Sequence, residues 1–222
     1  MRLTDHIIRR FDEAYRRNEA YWVREEIPEN VKTFAKNVER KFPKGKLLDL
    51  GCGNGWLSFY FAQQGFVVSG IDSSKEAVRL ARTAQKQLSE KRVIFTVGDV
   101  LELPYKEKSF DIIFDKGLFH HLPQLEWGQY KRGLLKVLKQ GGLFYLSVFS
   151  DQSVKRGFSP KQSGRLWHRS KDSIGYWNYD HFFTEALLRK IFRRGFEIVS
   201  IESDKQVGLH GSHKPHVIIR RV

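Results

Sequence analysis

Leu47-Leu48-Asp49-Leu50-Gly51-Cys52-Gly53-Asn54-Gly55-Trp56 is the stretch on which the reading of this chain turns. A short apolar run ends in three glycines at alternate positions. Glycines at the end of a strand let the backbone turn sharply and approach a ligand closely. In an open α/β sheet the end of the first strand lies at the topological switch point, where ligands bind. A dinucleotide fingerprint, G-x-G-x-x-G, would put its third glycine at position 56, which is Trp. A side chain of that size obstructs a pyrophosphate on the helix N-terminus, so nicotinamide and flavin cofactors fit poorly. The chain also lacks G-x-x-x-x-G-K-[ST], so it has no P-loop.

Outward from this turn, strand and helix periods alternate. Leu47–Leu50 reads as a strand, Trp56–Gln64 as a helix and Phe66–Ile71 as a second strand. Ser73-Ser74-Lys75-Glu76 matches a capping box, which predicts a helix opening at Ser73 and carrying Ala77, Val78, Ala81, Ala84 and Leu88. Val93–Val97, Phe110–Phe114 and Leu143–Phe149 read as the third to fifth strands. Residues 124–139 read as a helix, with Gly141-Gly142 as its stop. Such alternation predicts a parallel sheet covered on both faces. After an irregular segment at 150–183, Thr184 caps a helix through Ile191. Phe196–Ile201 and His216–Ile219 close the chain as an antiparallel pair, since no helix fits between them. Ahead of the sheet, residues 1–45 read as a helical cap. Ile7, Ile8, Phe11 and Tyr15 share one face, and Pro28 opens a second helix with Val31, Phe34 and Val38 on its stripe.

Two acids sit at strand ends beside the glycine turn. Asp72 ends the second strand, with Ser73 next to it, where a carboxylate accepts from ribose hydroxyls. Asp99 ends the third strand, next to Val100, where a carboxylate accepts from an adenine amino group. Taken singly each is an ordinary loop or cap residue. At the ends of consecutive strands they point to a nucleoside site.

With these residues in place, the chain resembles the class I S-adenosylmethionine-dependent methyltransferases. Asp49 to Gly55 matches the family motif D-x-G-x-G-x-G; Asp72 and Asp99 match its ribose-side and adenine-side acids; Ser109-Phe110-Asp111-Ile112-Ile113 matches its run into the fourth strand. The resemblance spans about Leu47 to Phe149 and, more weakly, the C-terminus. It implies a Rossmann-like α/β fold with a seven-stranded, mostly parallel sheet of order 3-2-1-4-5-7-6, strand seven antiparallel. S-adenosyl-L-methionine is the implied cofactor. Asp49, Gly51, Gly53, Gly55, Asp72, Ser73, Asp99, Val100 and Asp115 are the implied binding residues. The domain then spans 46–222, with 150–183 as a substrate lid.

The stretch Asp115-Lys116-Gly117-Leu118-Phe119-His120-His121 follows the fourth strand, which in the family lies beside the methyl group. It lacks the N-P-P-Y or D-P-P-Y of exocyclic-amine methylases. Cys52, inside the glycine turn, is misplaced for a cytosine-C5 nucleophile. The paired histidines are similar to those of small-molecule members, including quinone-biosynthetic and thiopurine- or tellurite-type enzymes. His121, and secondarily His120, is the candidate base, because imidazole takes a proton near neutral pH; the alternative is that one histidine packs and caps the next helix. A thiol or selenol acceptor needs no base, since it ionises readily. Lys116, Trp167, Tyr176 and Trp177 are the candidate acceptor contacts, aromatics in the insert being suited to enclose a flat molecule. They serve equally well as packing. Tyr21-Trp22 offers a further wall. His210, His213 and His216 read as a polar hairpin loop, and no metal is expected.

Composition bounds the rest. The 222 residues include 39 Lys+Arg against 25 Asp+Glu, a formal charge of +14, which suits anionic partners or simply aids solubility. A single cysteine excludes an intramolecular disulfide and fits a reducing cytoplasm. No run of about 18 apolar residues is present to cross a membrane, and Met1–His6 has no signal-peptide core. The chief rival is an RNA-directed methylase or binder. It would use Lys155, Arg156, Lys161, Arg165, Arg169 and Lys171, interleaved with Phe158 and Trp167. The sequence does not indicate an oligomeric state.

Overall fold

The computed structural model describes residues 3–20, 26–154, 158–171, 177–202 and 214–222. In chain order the elements are α1 (Leu3–Arg16), α2 (Glu29–Lys41), β1 (Lys46–Leu50), α3 (Trp56–Gln63), β2 (Val67–Asp72), α4 (Lys75–Leu88), β3 (Val93–Val97) and β4 (Phe110–Lys116). There follow 3-10 turns at Phe119–His121 and Gln124–Glu126, then α5 (Trp127–Val137), β5 (Leu138–Ser147), α6 (Pro160–Ser163), β6 (Trp167–Lys171), β7 (Trp177–His181), α7 (Glu185–Phe192), β8 (Phe196–Glu202) and β9 (His216–Arg221).

Seven strands form the main sheet in the order β3-β2-β1-β4-β5-β9-β8. Counted within the sheet alone this is 3-2-1-4-5-7-6, as expected. β1 through β5 pair in parallel, and β9 runs antiparallel to both β5 and β8. Successive residues of the central strands feed opposite faces, and both faces are buried, which is why these strands read as continuous apolar runs. Leu47, Ile112, Phe114 and Tyr145 join Val31, Phe34 and Val38 of α2 on one face. Leu48, Ile113, Phe144 and Leu146 join Leu134, Leu188 and Phe192 on the other. Phe114 and Tyr145 stack at 4.6 Å across the β4–β5 pair.

Three boundaries differ from the sequence reading. The cap of α4 is Ser74, whose hydroxyl accepts from the Ala77 N–H at 3.1 Å. Ser73 is not the cap, because β2 runs on to Asp72 and its carboxylate takes the Ser74 N–H at 2.8 Å, starting the helix one residue later. Glu76 then forks onto Arg79 instead of closing a box. Pro28 stands at the N-cap of α2, just before the helix. Helix α5 ends at Val137, and Gly141-Gly142 lie inside β5. Gly141 takes φ 71° at an irregularity where the β4–β5 register shifts. A Cβ on Gly142 would lie 2.9 Å from the Asp111 carbonyl, so close strand approach, not a helix stop, requires glycine there.

Within the insert, β6 pairs with β7 as a two-stranded ribbon, with Trp167 opposite His181 and Lys171 opposite Trp177. Phe182 and Phe183 leave the ribbon into the core; Phe183 stacks on Phe119 at 5.3 Å. Helix α1 packs against α4 and β7. No helix among the described residues is long and apolar enough to cross a membrane.

Candidate active site

The glycine turn follows β1 directly. Gly51, Gly53 and Gly55 take φ of 66°, 56° and 83°, all in the left-handed region. Side chains there would also collide: a Cβ on Gly51 would lie 2.7 Å from Leu118, and one on Gly53 would strike the Tyr15 hydroxyl. The turn is therefore bare backbone facing α1 and the segment after β4. Asp49 is buried at the end of β1 and accepts from the Ser58 hydroxyl at 2.6 Å, which ties the strand to α3.

Asp72 braces the turn from the next strand. Its Oδ2 accepts from the Gly53 N–H at 2.9 Å and its Oδ1 from the Ser74 N–H. A carboxylate offers about four lone-pair sites, so acceptor capacity remains beyond these two bonds. Ser73 sits between Asp72 and the α4 cap. Asp99 accepts from the Leu101 N–H at 2.8 Å in the turn after β3, and Val100 beside it is buried. The structure thus brings Asp49, Gly51, Gly53, Gly55, Asp72, Ser73, Asp99 and Val100 to one edge of the sheet, at the C-terminal ends of β1, β2 and β3.

Asp115, on β4, is fully buried. Its Oδ1 takes the Leu118 N–H at 2.9 Å and its Oδ2 the Tyr130 hydroxyl at 2.6 Å. These bonds give it an internal role, folding the turn that carries the histidines. Burial pushes the Asp49 carboxyl up to about 7, aided by Asp115 and Asp72, while the Ser58 bond opposes it. Burial likewise raises Asp115 to about 6 against its own hydrogen bonds, and raises Asp72. Asp72 and Asp115 both repel a charge on Asp49, and carboxyls gathered at neighbouring strand ends favour a cationic ligand. Cys52 is buried beside them, and its thiol is held well above the usual range, mainly by burial. It is therefore not a nucleophile.

Beyond β4 three elements meet around the paired histidines. His120 and His121 lie on the 3-10 turn after β4, their rings 4.3 Å apart. His120 is buried against Phe149 at 4.1 Å. His121 lies with Nδ1 2.9 Å from the Tyr179 carbonyl and 3.2 Å from Asp180 Oδ1, both on β7, while Phe11 of α1 meets its ring edge-on at 5.0 Å. Lys116 ends β4 half-buried, its Nζ 5.9 Å from the Trp56 ring. Trp167 is not brought here. It is 49% exposed and shares the ribbon face of its partner His181, opposite to that of Asp180, because strand residues alternate faces. Trp177 belongs to the backbone of β7; Tyr176, Tyr21, Trp22, Lys155, Arg156, His210 and His213 lie outside the described residues.

Four site residues were not found from sequence: Asp180, Phe11, Tyr15 and Asp12. Asp12 of α1 accepts from the Ser74 hydroxyl and the Glu76 N–H, both at 2.9 Å, and so anchors α1 at the start of α4. The apolar stripe of α1 signalled a packed helix, but not that it lies across the glycine turn. Asp180 carries no local signal, since ribbon register alone places it.

Comparison with known proteins assigns this architecture. A family model described as a methyltransferase domain matches residues 41–194. The 27-O-demethylrifamycin SV methyltransferase of Amycolatopsis mediterranei is 37% identical over 106 residues, covering 47% of this chain and 38% of that protein. An uncharacterised methyltransferase of a Geobacillus species is 28% identical over 197 residues, 87% of this chain and 84% of that one. Burkholderia thailandensis 1,6-didemethyltoxoflavin-N1-methyltransferase, solved with its substrate and S-adenosylhomocysteine, superposes with a TM-score of 0.76 at 22% identity, over 99% of this chain and 88% of that one. The glycine turn, the acids at consecutive strand ends, the sheet order and the family match converge: this chain belongs to the class I S-adenosylmethionine-dependent methyltransferases.

Proposed function

We propose that this enzyme methylates a small organic acceptor carrying an O–H, N–H or S–H group, and that His121 takes the acceptor's proton. The observation that carries the reading is the placement of His121. It stands on the turn leaving β4, with the glycine turn at the neighbouring end of β1, and α1 spans both through Phe11 and Tyr15. Bound S-adenosylmethionine supplies an electrophilic methyl group on a sulfonium, the fragment transferred by in-line displacement. The protein supplies proximity and alignment, worth about 7–11 kcal/mol in well-oriented systems.

In this reading Gly51, Gly53 and Gly55 admit the cofactor against bare backbone. Asp72, with Ser73, takes the ribose hydroxyls through its remaining lone pairs. Asp99 and Val100 bound the adenine. Asp49 and Asp115 hold the two turns, and their negative field favours the cationic sulfonium. Lys116 borders the acceptor. Residues 1–45 act as a cap and 150–183 as a lid over the domain at 46–222. Support for a small acceptor comes from the relatives, named for a rifamycin and for didemethyltoxoflavin. The RNA-directed alternative rests on Lys161, Arg165, Arg169 and Lys171, which are exposed, and those small-molecule names do not favour it. A buried single cysteine suits a cytoplasmic enzyme.

A panel of phenols, N-hydroxy heterocycles and thiols, assayed by formation of S-adenosylhomocysteine, tests the proposal. His121→Ala is expected to slow methylation of O–H and N–H acceptors by about 10²-fold or more while sparing cofactor affinity. Wild-type turnover in that variant would exclude His121 as the base.

A further inference from the structure

The immediate surroundings of His121 determine which of its nitrogens carries the proton. Nδ1 faces the Tyr179 carbonyl at 2.9 Å and Asp180 Oδ1 at 3.2 Å. Both are acceptors, so Nδ1 must be the N–H, and in the neutral ring Nε2 keeps its lone pair. The carboxylate is sealed: the Asp180 side chain is 1% exposed, and its Oδ2 accepts from the Asn178 amide at 3.1 Å. The imidazole is not sealed, keeping 13% of its side-chain surface exposed. A carboxylate buried to that degree needs donors or a cation beside it.

We propose that Asp180 is the positioning residue of an Asp180–His121 dyad that makes Nε2 the proton acceptor for methyl transfer; this rests on His121 being the base. The acceptor's X–H bond breaks and its proton goes to Nε2; the pair left on X forms the new X–C bond as the methyl's bond to the sulfonium sulfur breaks, that pair staying on sulfur in the departing S-adenosylhomocysteine. The imidazolium then carries N–H on both nitrogens, with Asp180 facing the charged ring. Nε2 later returns the proton to water. The insert therefore does more than cover the site. Its strand β7 supplies the group that orients the base, so the base is complete only when the ribbon is docked on the 3-10 turn.

Other described groups lie around the His121 ring. From α1 come Phe11 and the Arg10 guanidinium, 4.9 Å from the Phe11 centroid. From the turn itself comes His120. From β7 come Tyr179, Asp180 and His181, the last held near 4 by burial and hence neutral. Lys214 lies beyond Phe149, 4.5 Å from that ring. Asp180 is the carboxylate in contact with His121 among these. His120, His121 and Asp180 also offer one donor atom each within 4.8 Å of one another, a spacing that suits a divalent cation. With the Tyr179 carbonyl on Nδ1, a cation could use only Nε2 of His121, the same nitrogen that the dyad offers to the acceptor's proton.

The test uses the full chain labelled with ¹⁵N-histidine and saturated with S-adenosylhomocysteine, with the His121 signals assigned by their loss in His121→Gln. Long-range ¹⁵N–¹H correlation should show Nδ1 protonated and Nε2 bare at pH 8. An Nε2–H tautomer would overturn the proposal without touching the reading of His121 as base. In Asp180→Asn the midpoint of the His121 titration should fall by about one unit or more, with S-adenosylhomocysteine affinity unchanged; an unmoved midpoint would overturn it. Should that variant not fold, an Nε2–H tautomer in the wild-type protein still overturns the proposal. One equivalent of zinc or manganese in the purified protein, lost in Asp180→Asn, would also overturn it in favour of a metal site. Wild-type turnover by His121→Ala, with the expected tautomer intact, would refute the base reading itself.

Discussion

Asp49→Asn should make the apo protein more stable, by an amount that depends on pH. Asp49 is buried at the end of β1, and its carboxyl is raised from 3.8 to about 7. A carboxyl raised in the folded state binds more protons folded than unfolded between those values, so stability falls as pH rises through the window and levels off above it. Integrating the proton linkage, the raised carboxyl costs the fold about 2 kcal/mol at pH 5, where it folds protonated, and about 4 kcal/mol at pH 8, where it folds mostly ionised. Asparagine keeps an oxygen for the Ser58 hydroxyl and carries no charge. Any change in that bond is a constant offset, so the informative quantity is how the variant-minus-wild-type difference changes with pH. It should grow by about 2–3 kcal/mol from pH 5 to pH 8, which at a urea slope of about 2.5 kcal/mol per M moves the midpoint by roughly 1 M. Urea unfolding of the apo protein at the two pH values measures it. A difference that stays constant with pH would refute the claim that burial and neighbouring carboxylates strain this group. The same variant should bind S-adenosylmethionine no better than wild type, as the proposed role of that charge toward the cationic sulfonium requires.

Asp72→Ala removes both braces on the turn and the proposed ribose acceptor; calorimetry should show S-adenosylhomocysteine affinity reduced at least tenfold, about 1.4 kcal/mol, and an unchanged affinity would reject the role. Gly53→Ala places a Cβ against the Tyr15 hydroxyl at a left-handed φ of 56°; it should lower thermal stability by about 1–2 kcal/mol from backbone strain alone and weaken cofactor binding, whereas a neutral outcome would mean that α1 does not rest on the turn. Ser74→Ala removes the cap of α4 and a hydrogen-bond partner of Asp12, and chemical denaturation should show a loss of about 1 kcal/mol. The corresponding Ser73→Ala should be close to neutral for stability, which separates the two serines.

The sheet was legible because its signals are local. Apolar runs bounded by glycines mark strands buried on both faces, and the acids that follow them fall at strand ends by chain order alone. The same locality explains the errors. Two serines in a row leave the cap ambiguous by one residue, and only the reach of Asp72 to the Ser74 N–H resolves it. Gly141-Gly142 looked like a helix stop because sequence cannot show that the Asp111 backbone passes within van der Waals contact. Half of the site was legible for the same reason: Asp49, the glycines, Asp72 and Asp99 follow one another along the first three strands. The rest depends on long-range register. Asp180 reaches His121 only because the ribbon pairs Trp167 with His181 and so turns alternate residues of β7 inward. The same parity puts Trp167 on the ribbon face away from Asp180, where it is 49% exposed, which its aromatic character could not reveal. Tyr15 read as part of a helix stripe, and only the docking of α1 brings it and Asp12 to the glycine turn and the start of α4.

The most direct test of the central claim is calorimetric titration of the purified protein with S-adenosylhomocysteine, with NAD titrated as a control. Binding of S-adenosylhomocysteine at one site per chain, with a dissociation constant on the order of micromolar and no heat from NAD, is the predicted result. No binding of S-adenosylhomocysteine even with acceptor candidates present, or equal binding of NAD, would contradict the assignment of the glycine turn.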